Sequence, residues 1–427
     1  MESFSNEFKG TDITPSGITS INTSYMMMDF ALGGGISEGQ WLEIFGPEGA
    51  GKTTNALCMC SYYLAMNPDA YLMYLDIEKA TSYERITNIF LQSTVEINEE
   101  TGAILIDGEE RGILICPDTF EKIALSFDKF STLCIKNKLR GIIVWDSLVA
   151  AVSEKIIKEG TERIAYKATE IQNLIDKFSS LFQKIPITQL VINQTRQKMA
   201  MGMFDSKKGD GSMVHEFNLP GGNAHKFKAF QTLQMSIGKK WGYPTTTPII
   251  DGVVIKFTPT KNKLGAPKKE FDQILVYEIG FSNLISLLYF LNEKKLLDGR
   301  GLSSIKFGGM LKGLNLEKFS ITIATDKEFA TKFFDFCFDV LTTEYKAYSK
   351  MHRFDKDVML NALILDAAKL VRLFNSLKQK GIEAGVEDDV EEEDLKEPVV
   401  VKSNKKNKKQ EVPELIDGLS SELTNQK

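Results

Sequence analysis

Short apolar runs alternate with longer stretches of helical spacing through the first half of the chain. The runs Trp41–Phe45, Tyr71–Asp76, Gly112–Cys116, Gly141–Asp146 and Thr188–Asn193 are rich in apolar and β-branched residues. Between them, Thr54–Met66, Thr119–Lys136 and Ile164–Gln183 repeat apolar residues at helical intervals. That alternation predicts βαβ units around a mostly parallel central sheet, an α/β core. Gln231–Ile237, Gly252–Phe257 and Gln273–Ile279 follow with no helix between them, which predicts an antiparallel extension at one sheet edge. From Phe281 to about Lys380 the spacing turns mainly helical, most clearly over Leu284–Leu291 and Val358–Leu377. Residues Gln197–Gly222 hold five glycines and no sustained period, and so long an irregular connection inside a core points to a functional loop or disorder. The expected organisation is a short N-terminal segment (1–17), a core (18–280), a smaller helical C-terminal domain (281–380) and a tail (381–427).

Composition narrows the class. With 427 residues, 43% of them hydrophobic and 26% charged, the chain has the balance of a soluble globular protein with a sizeable core. No apolar run approaches the length of a membrane span, and the first residues lack the pattern of a signal peptide. Five cysteines and three histidines argue against structural zinc or a disulfide framework and for a cytoplasmic setting. Cys58 and Cys60 fall within an expected helix, where core packing explains them better than redox chemistry. The net charge of −5 is uneven: residues 383–397 contain nine acids and one lysine, followed by Lys402, Lys405, Lys406, Lys408 and Lys409. Such blocks do not fold alone, so a disordered acidic tail is expected.

The chemistry starts at Gly46-Pro47-Glu48-Gly49-Ala50-Gly51-Lys52-Thr53. This Gly-x-x-x-x-Gly-Lys-Thr loop lies between an expected strand and an expected helix, the context that makes it a phosphate-binding loop. Its backbone N–H groups and the helix N-terminus suit an anion. Lys52 can reach the β- and γ-phosphates, and the Thr53 hydroxyl can bind Mg²⁺. Asp76-Ile77-Glu78 ends the next strand, where Glu78 suits a general base. Asp146 ends an apolar strand in the Walker-B manner and would hold Mg²⁺ opposite Thr53. Gln194 reaches the same sheet edge just before the long irregular segment, so it can couple nucleotide state to that loop; a passive strand end is the plainer reading.

Together these residues resemble the RecA family of DNA recombinases, in order, from about residue 17 to 300. The resemblance rests on Asp29-Phe30-Ala31-Leu32-Gly33, the phosphate loop with Thr54, Asp146-Ser147-Leu148-Val149-Ala150-Ala151, Ile192-Asn193-Gln194, Gly221-Gly222-Asn223-Ala224-His225-Lys226-Phe227, and Lys261-Asn262-Lys263 with Ala266-Pro267. It implies ATP and Mg²⁺ as ligands, Glu78 as the catalytic glutamate, and Gln194 as the nucleotide-sensing switch. It places Lys261 and Lys263 at the γ-phosphate of a neighbouring subunit, and Tyr83, with Arg85, near the adenine. Two DNA-binding loops are implied, about 153–163 and 195–222, with Arg163, Arg196, Lys198, Lys207, Lys208, Gly221, Gly222 and Asn223 as contacts.

From Thr195 to Lys228 six basic residues stand against three acids, a modest excess that suits a few phosphate contacts per subunit and salt-sensitive binding. Met199, Met201, Met203 and Phe204 could wedge between bases, although a Met-rich loop is also a common packing surface. The expected function is an ATP-dependent recombinase that forms a filament on single-stranded DNA and exchanges strands with a duplex, helped by mediator or single-strand-binding proteins. The alternative is a RecA-fold ATPase that remodels or regulates a protein partner without strand exchange. Little chain precedes the matching region, which leaves Phe4 and Phe8 as an abbreviated subunit hook. The longer second loop and the divergent C-terminal region suggest a phage-type version, acting in a bacterial cell or an infected host.

Overall fold

The computed structural model describes residues 19–380 except 24, 93, 155–163, 196–223, 245–247, 268 and 348–352. Thirteen strands are described. β1 (Ser20–Ile21) and β2 (Ile36–Ser37) pair with each other. The remaining eleven are β3 (Trp41–Gly46), β4 (Ala70–Asp76), β5 (Val95–Ile97), β6 (Ala103–Ile106), β7 (Glu109–Ile115), β8 (Arg140–Asp146), β9 (Ile187–Gln194), β10 (Gln231–Tyr243), β11 (Ile250–Asn262), β12 (Phe271–Val276) and β13 (Gly280–Ser282). They form one sheet in the order β13-β12-β11-β10-β3-β9-β8-β4-β7-β6-β5. The six strands from β10 to β7 run parallel. The long hairpin β10–β11 with β12 and β13 continues antiparallel at one edge, as the missing helices foretold. At the other edge β6 and β5 also pair antiparallel, which the sequence pattern did not announce.

The central strands read as unbroken apolar runs because both sheet faces are covered. Alternate residues supply the two sides. Ile44, Leu72, Tyr74, Ile142, Val144 and Ile192 join one hydrophobic cluster, while Met73, Leu75, Ile143, Trp145 and Val191 join the other. Helices Phe120–Asn137 and Ile164–Lys184 cover the second face. The first face receives helix Lys52–Met66, which is buried almost all round. Helices Asn283–Glu293, Leu316–Thr325, Lys327–Tyr345 and Lys356–Gln379 share its cluster, which runs without a break from Tyr25 to Leu377. Tyr62 Oη donates to the Ala362 carbonyl at 2.5 Å, tying the first of these helices to the last. Among the described residues no helix is long and apolar enough to cross a membrane.

Candidate nucleotide site

The parallel strands bring four chain ends to one edge. Register pairs Gly46 with Gln194 and Asp76 with Asp146, so the carboxyl ends of β3, β9, β8 and β4 lie side by side. Ligands of open α/β sheets bind at such an edge. Two glycines shape the turn there. A side chain at Gly46 would meet the Met235 carbonyl of β10 at 2.4 Å, so only glycine lets that strand approach. Gly51 has φ +77° and caps the helix Lys52–Met66 with no side-chain bond, leaving its first N–H groups for an anion.

Lys52 is buried, and its Nζ donates to the carbonyls of Gly46 at 3.1 Å and Pro47 at 2.7 Å. Burial pushes its pKa down, opposed by the carboxylates of Asp146, Glu78 and Glu48. A phosphate would replace those carbonyls with stronger, charged acceptors. The Thr53 hydroxyl donates to Asp146 Oδ2 at 2.5 Å, bringing two hard oxygen ligands together. That donor set fits Mg²⁺, which takes few protein ligands besides phosphate oxygens and water. Burial raises the Asp146 carboxyl to about 6, helped by Glu78 and Asp76 and opposed by the Thr53 hydroxyl and Lys52. A cation held there would oppose that shift.

Glu78 Oε1 accepts from the Ser147 hydroxyl at 2.5 Å and from Gln194 Nε2 at 3.0 Å. The general-base candidate Glu78 and Gln194 therefore touch directly. Ser147 was not anticipated: it follows Asp146, but nothing in the sequence pairs it with a residue on another strand. On the flank, Arg85 Nη2 donates to Thr54 Oγ1 at 3.2 Å, and Nη1 to the Tyr277 carbonyl at 2.5 Å. Arg85 belongs to the short helix Tyr83–Ile89; Tyr83 at its start and Tyr277 are both exposed. Tyr277 is a second aromatic beside this flank that spacing did not reveal.

Lys261 and Lys263 do not join this group. Lys261 pairs with Thr232, and Thr232 with Glu43. It thus lies two strands across from β3 and three residues short of Gly46, about 10 Å along the strands and about 10 Å across them. Its Nζ donates to the carbonyls of Lys226 at 2.7 Å and Phe227 at 3.0 Å. Burial lowers its pKa, with Lys263 adding to the effect and Glu43 opposing it. Lys263 stands over the Phe230 ring at 5.3 Å. Beside them Phe227 is 78% exposed, an unusual amount for an aromatic residue. Arg163, Arg196, Lys198, Lys207, Lys208, Gly221, Gly222 and Asn223 lie outside the described residues, as do Phe4, Phe8 and the acidic tail.

The sequence matches the RecA N-terminal domain family over residues 9–282. The chain belongs to the RecA family. It is 27% identical over 297 residues to the Protein RecA of Geobacter metallireducens, covering 68% of this chain and 77% of the relative. The Protein RecA of Deinococcus radiodurans is 27% identical over 315 residues, covering 72% and 76%. That of Lactobacillus acidophilus is 25% identical over 289 residues, covering 66% and 69%. The family match covers every strand from β3 to β13, and with them Lys52, Glu78, Asp146, Gln194, Lys261 and Lys263. The helices after residue 282 lie beyond it.

Proposed function

We propose that this RecA-family protein is an ATP-dependent DNA recombinase. It would assemble on single-stranded DNA, hold ATP between successive copies, and pair the bound strand with a homologous duplex. One observation carries the reading: Lys52, Thr53, Glu78, Asp146 and Gln194 converge at one sheet edge, while Lys261 and Lys263 stand away from it beside the exposed Phe227. A site split in this way calls for a second copy, and a chain of such contacts is a head-to-tail filament.

In this reading the N–H groups of residues 49–53 and the Lys52 ammonium bind the β- and γ-phosphates. Mg²⁺ held by Thr53 and Asp146 would offset charge developing on the phosphate oxygens. Glu78 accepts a proton from water as the water oxygen bonds to the γ-phosphorus. The bond from that phosphorus to the β-phosphate oxygen breaks, giving ADP and inorganic phosphate. Ser147 and Gln194 orient the Glu78 carboxylate. Gln194 can instead bond a γ-phosphate oxygen, so hydrolysis changes what it contacts and resets the segment that follows it. Tyr83 and Tyr277 flank the side where a base would stack. Basic residues of the segment 195–228 would track the DNA backbone, with base pairing supplying sequence choice and mediator proteins assisting loading.

The test is ATP turnover with and without single-stranded DNA at low salt and at concentrations that support assembly, followed by a strand-exchange assay. Stimulation by DNA, and joint-molecule formation that needs ATP, are the expected results. A basal rate that DNA leaves unchanged would rule the recombinase out.

A further inference from the structure

The two ends of the segment 196–223 meet on one buried carboxylate. Glu43 lies on the strand that leads into the phosphate loop and is fully buried. Its Oε1 accepts from Asn193 Nδ2 at 2.9 Å and stands 2.8 Å from His225 Nδ1. Asn193 immediately precedes Gln194, and its Oδ1 accepts from the Gln194 N–H at 2.9 Å. His225, also fully buried, belongs to the short helix Ala224–Lys228. The carbonyls of Lys226 and Phe227 in that helix hold the Lys261 ammonium. An unbroken series of contacts thus runs from the glutamine that touches Glu78 to Lys261, two strands away from β3.

Packing alone does not account for these residues. A carboxylate taken out of water loses several kcal/mol of hydration, and an apolar pair of similar volume fills such a space at no comparable cost. At this depth no water replaces a lost partner, so losing either contact leaves Glu43 Oε1 with one polar neighbour fewer. Here the two contacts of Glu43 belong to opposite ends of one segment.

We propose that Glu43 and His225 are positioning residues that carry nucleotide state across the subunit. A change at Gln194 passes through Asn193 and Glu43 to His225, and so to the helix Ala224–Lys228 and the Lys261 it holds. This rests on the reading of Gln194 as nucleotide-sensing, and it adds the route by which the distant lysine and the exposed Phe227 respond to nucleotide.

Hydrogen–deuterium exchange of peptides spanning residues 224–230, with and without ATPγS and Mg²⁺ and without DNA, tests the route. The variants are His225→Leu, His225→Gln, and the double substitution Glu43→Gln/His225→Leu, which removes the buried charge in case His225→Leu alone does not fold. The wild type should show a nucleotide-dependent change in exchange of about fivefold or more, the lower range of measured couplings between sites. His225→Gln, which keeps a polar side chain beside Glu43, should retain most of it. The double variant should bind ATPγS as the wild type does and lose the change. A folded, nucleotide-binding double variant with the full response overturns the route, as does a wild type with no response. A full wild-type response that the double variant loses, in a protein whose ATPase ignores DNA, sinks the recombinase reading and leaves the route standing.

Discussion

Replacing Lys369 by methionine should change how stability depends on pH. Lys369 lies in helix Lys356–Gln379 and is 4% exposed. Its Nζ donates to the carbonyls of Ile89 and Ile279, the latter at 2.6 Å. Ile89 ends the helix that carries Tyr83 and Arg85, and Ile279 lies in the turn that follows Tyr277. The contact therefore clamps the C-terminal helix to the flank of the candidate nucleotide site. Burial lowers the Lys369 pKa from 10.5 to about 8, opposed by Cys58 and Asp366. Between those values the unfolded chain holds a proton that the folded chain has released, so stability rises with pH across that window. Well inside the window each pH step of one is worth about 1.4 kcal/mol. The slope is shallower near both ends, where one of the two states is only partly titrated, so pH 8 to 10 contributes about 2 kcal/mol. Raised tyrosine pKa values act the other way near the top of this range, so the informative quantity is wild type minus Lys369→Met. Urea unfolding at half-unit pH steps measures it. The difference should grow by about 2 kcal/mol in favour of the wild type from pH 8 to 10. A constant difference would show that Lys369 is not the buried, proton-releasing clamp described.

Three further outcomes follow from the site. Glu78→Gln should lower ATP turnover by about a hundredfold or more while nucleotide still binds, as loss of a general base does; lost binding in an equilibrium titration would contradict its role. Gly51→Ala should impair nucleotide binding and cost about 1–3 kcal/mol, because the position has φ +77° and its Cβ would lie 2.9 Å from Leu275 Cδ2. Unchanged melting and affinity would refute the tight cradle. Asp146→Asn should abolish the Mg²⁺ dependence of ATP binding, and a magnesium titration matching the wild type would remove Asp146 from the cation site.

The parallel core was legible because its strands are buried on both faces and carry apolar runs unbroken enough to recognise. The turn Gly46–Thr53 between β3 and helix Lys52–Met66 was legible because its signal is local: the residues are contiguous. What escaped is short or distant in sequence. β5 and β6 escaped because they are short, partly exposed, and set among the acidic and glycine residues of 98–112. The bond from Ser147 to Glu78 and the meeting of Glu43, Asn193 and His225 join residues on separate strands and helices, so no spacing rule signals them. The C-terminal helices were recognised by their period. Their shared cluster with helix Lys52–Met66 was not, since a periodic face says that a helix is covered and not by what.

In the proposed filament each ATP site takes its phosphate loop from one copy and Lys261 and Lys263 from another. Mixing two inactive variants tests it: Lys52→Ala, with an intact lysine pair, and Lys261→Ala/Lys263→Ala, with an intact phosphate loop. Random assembly from equal amounts places an intact loop against an intact pair at about one junction in four. DNA-stimulated ATPase should therefore return to about a quarter of the wild-type rate in the mixture, with each variant alone near zero. A mixture as inactive as its components would contradict the shared site.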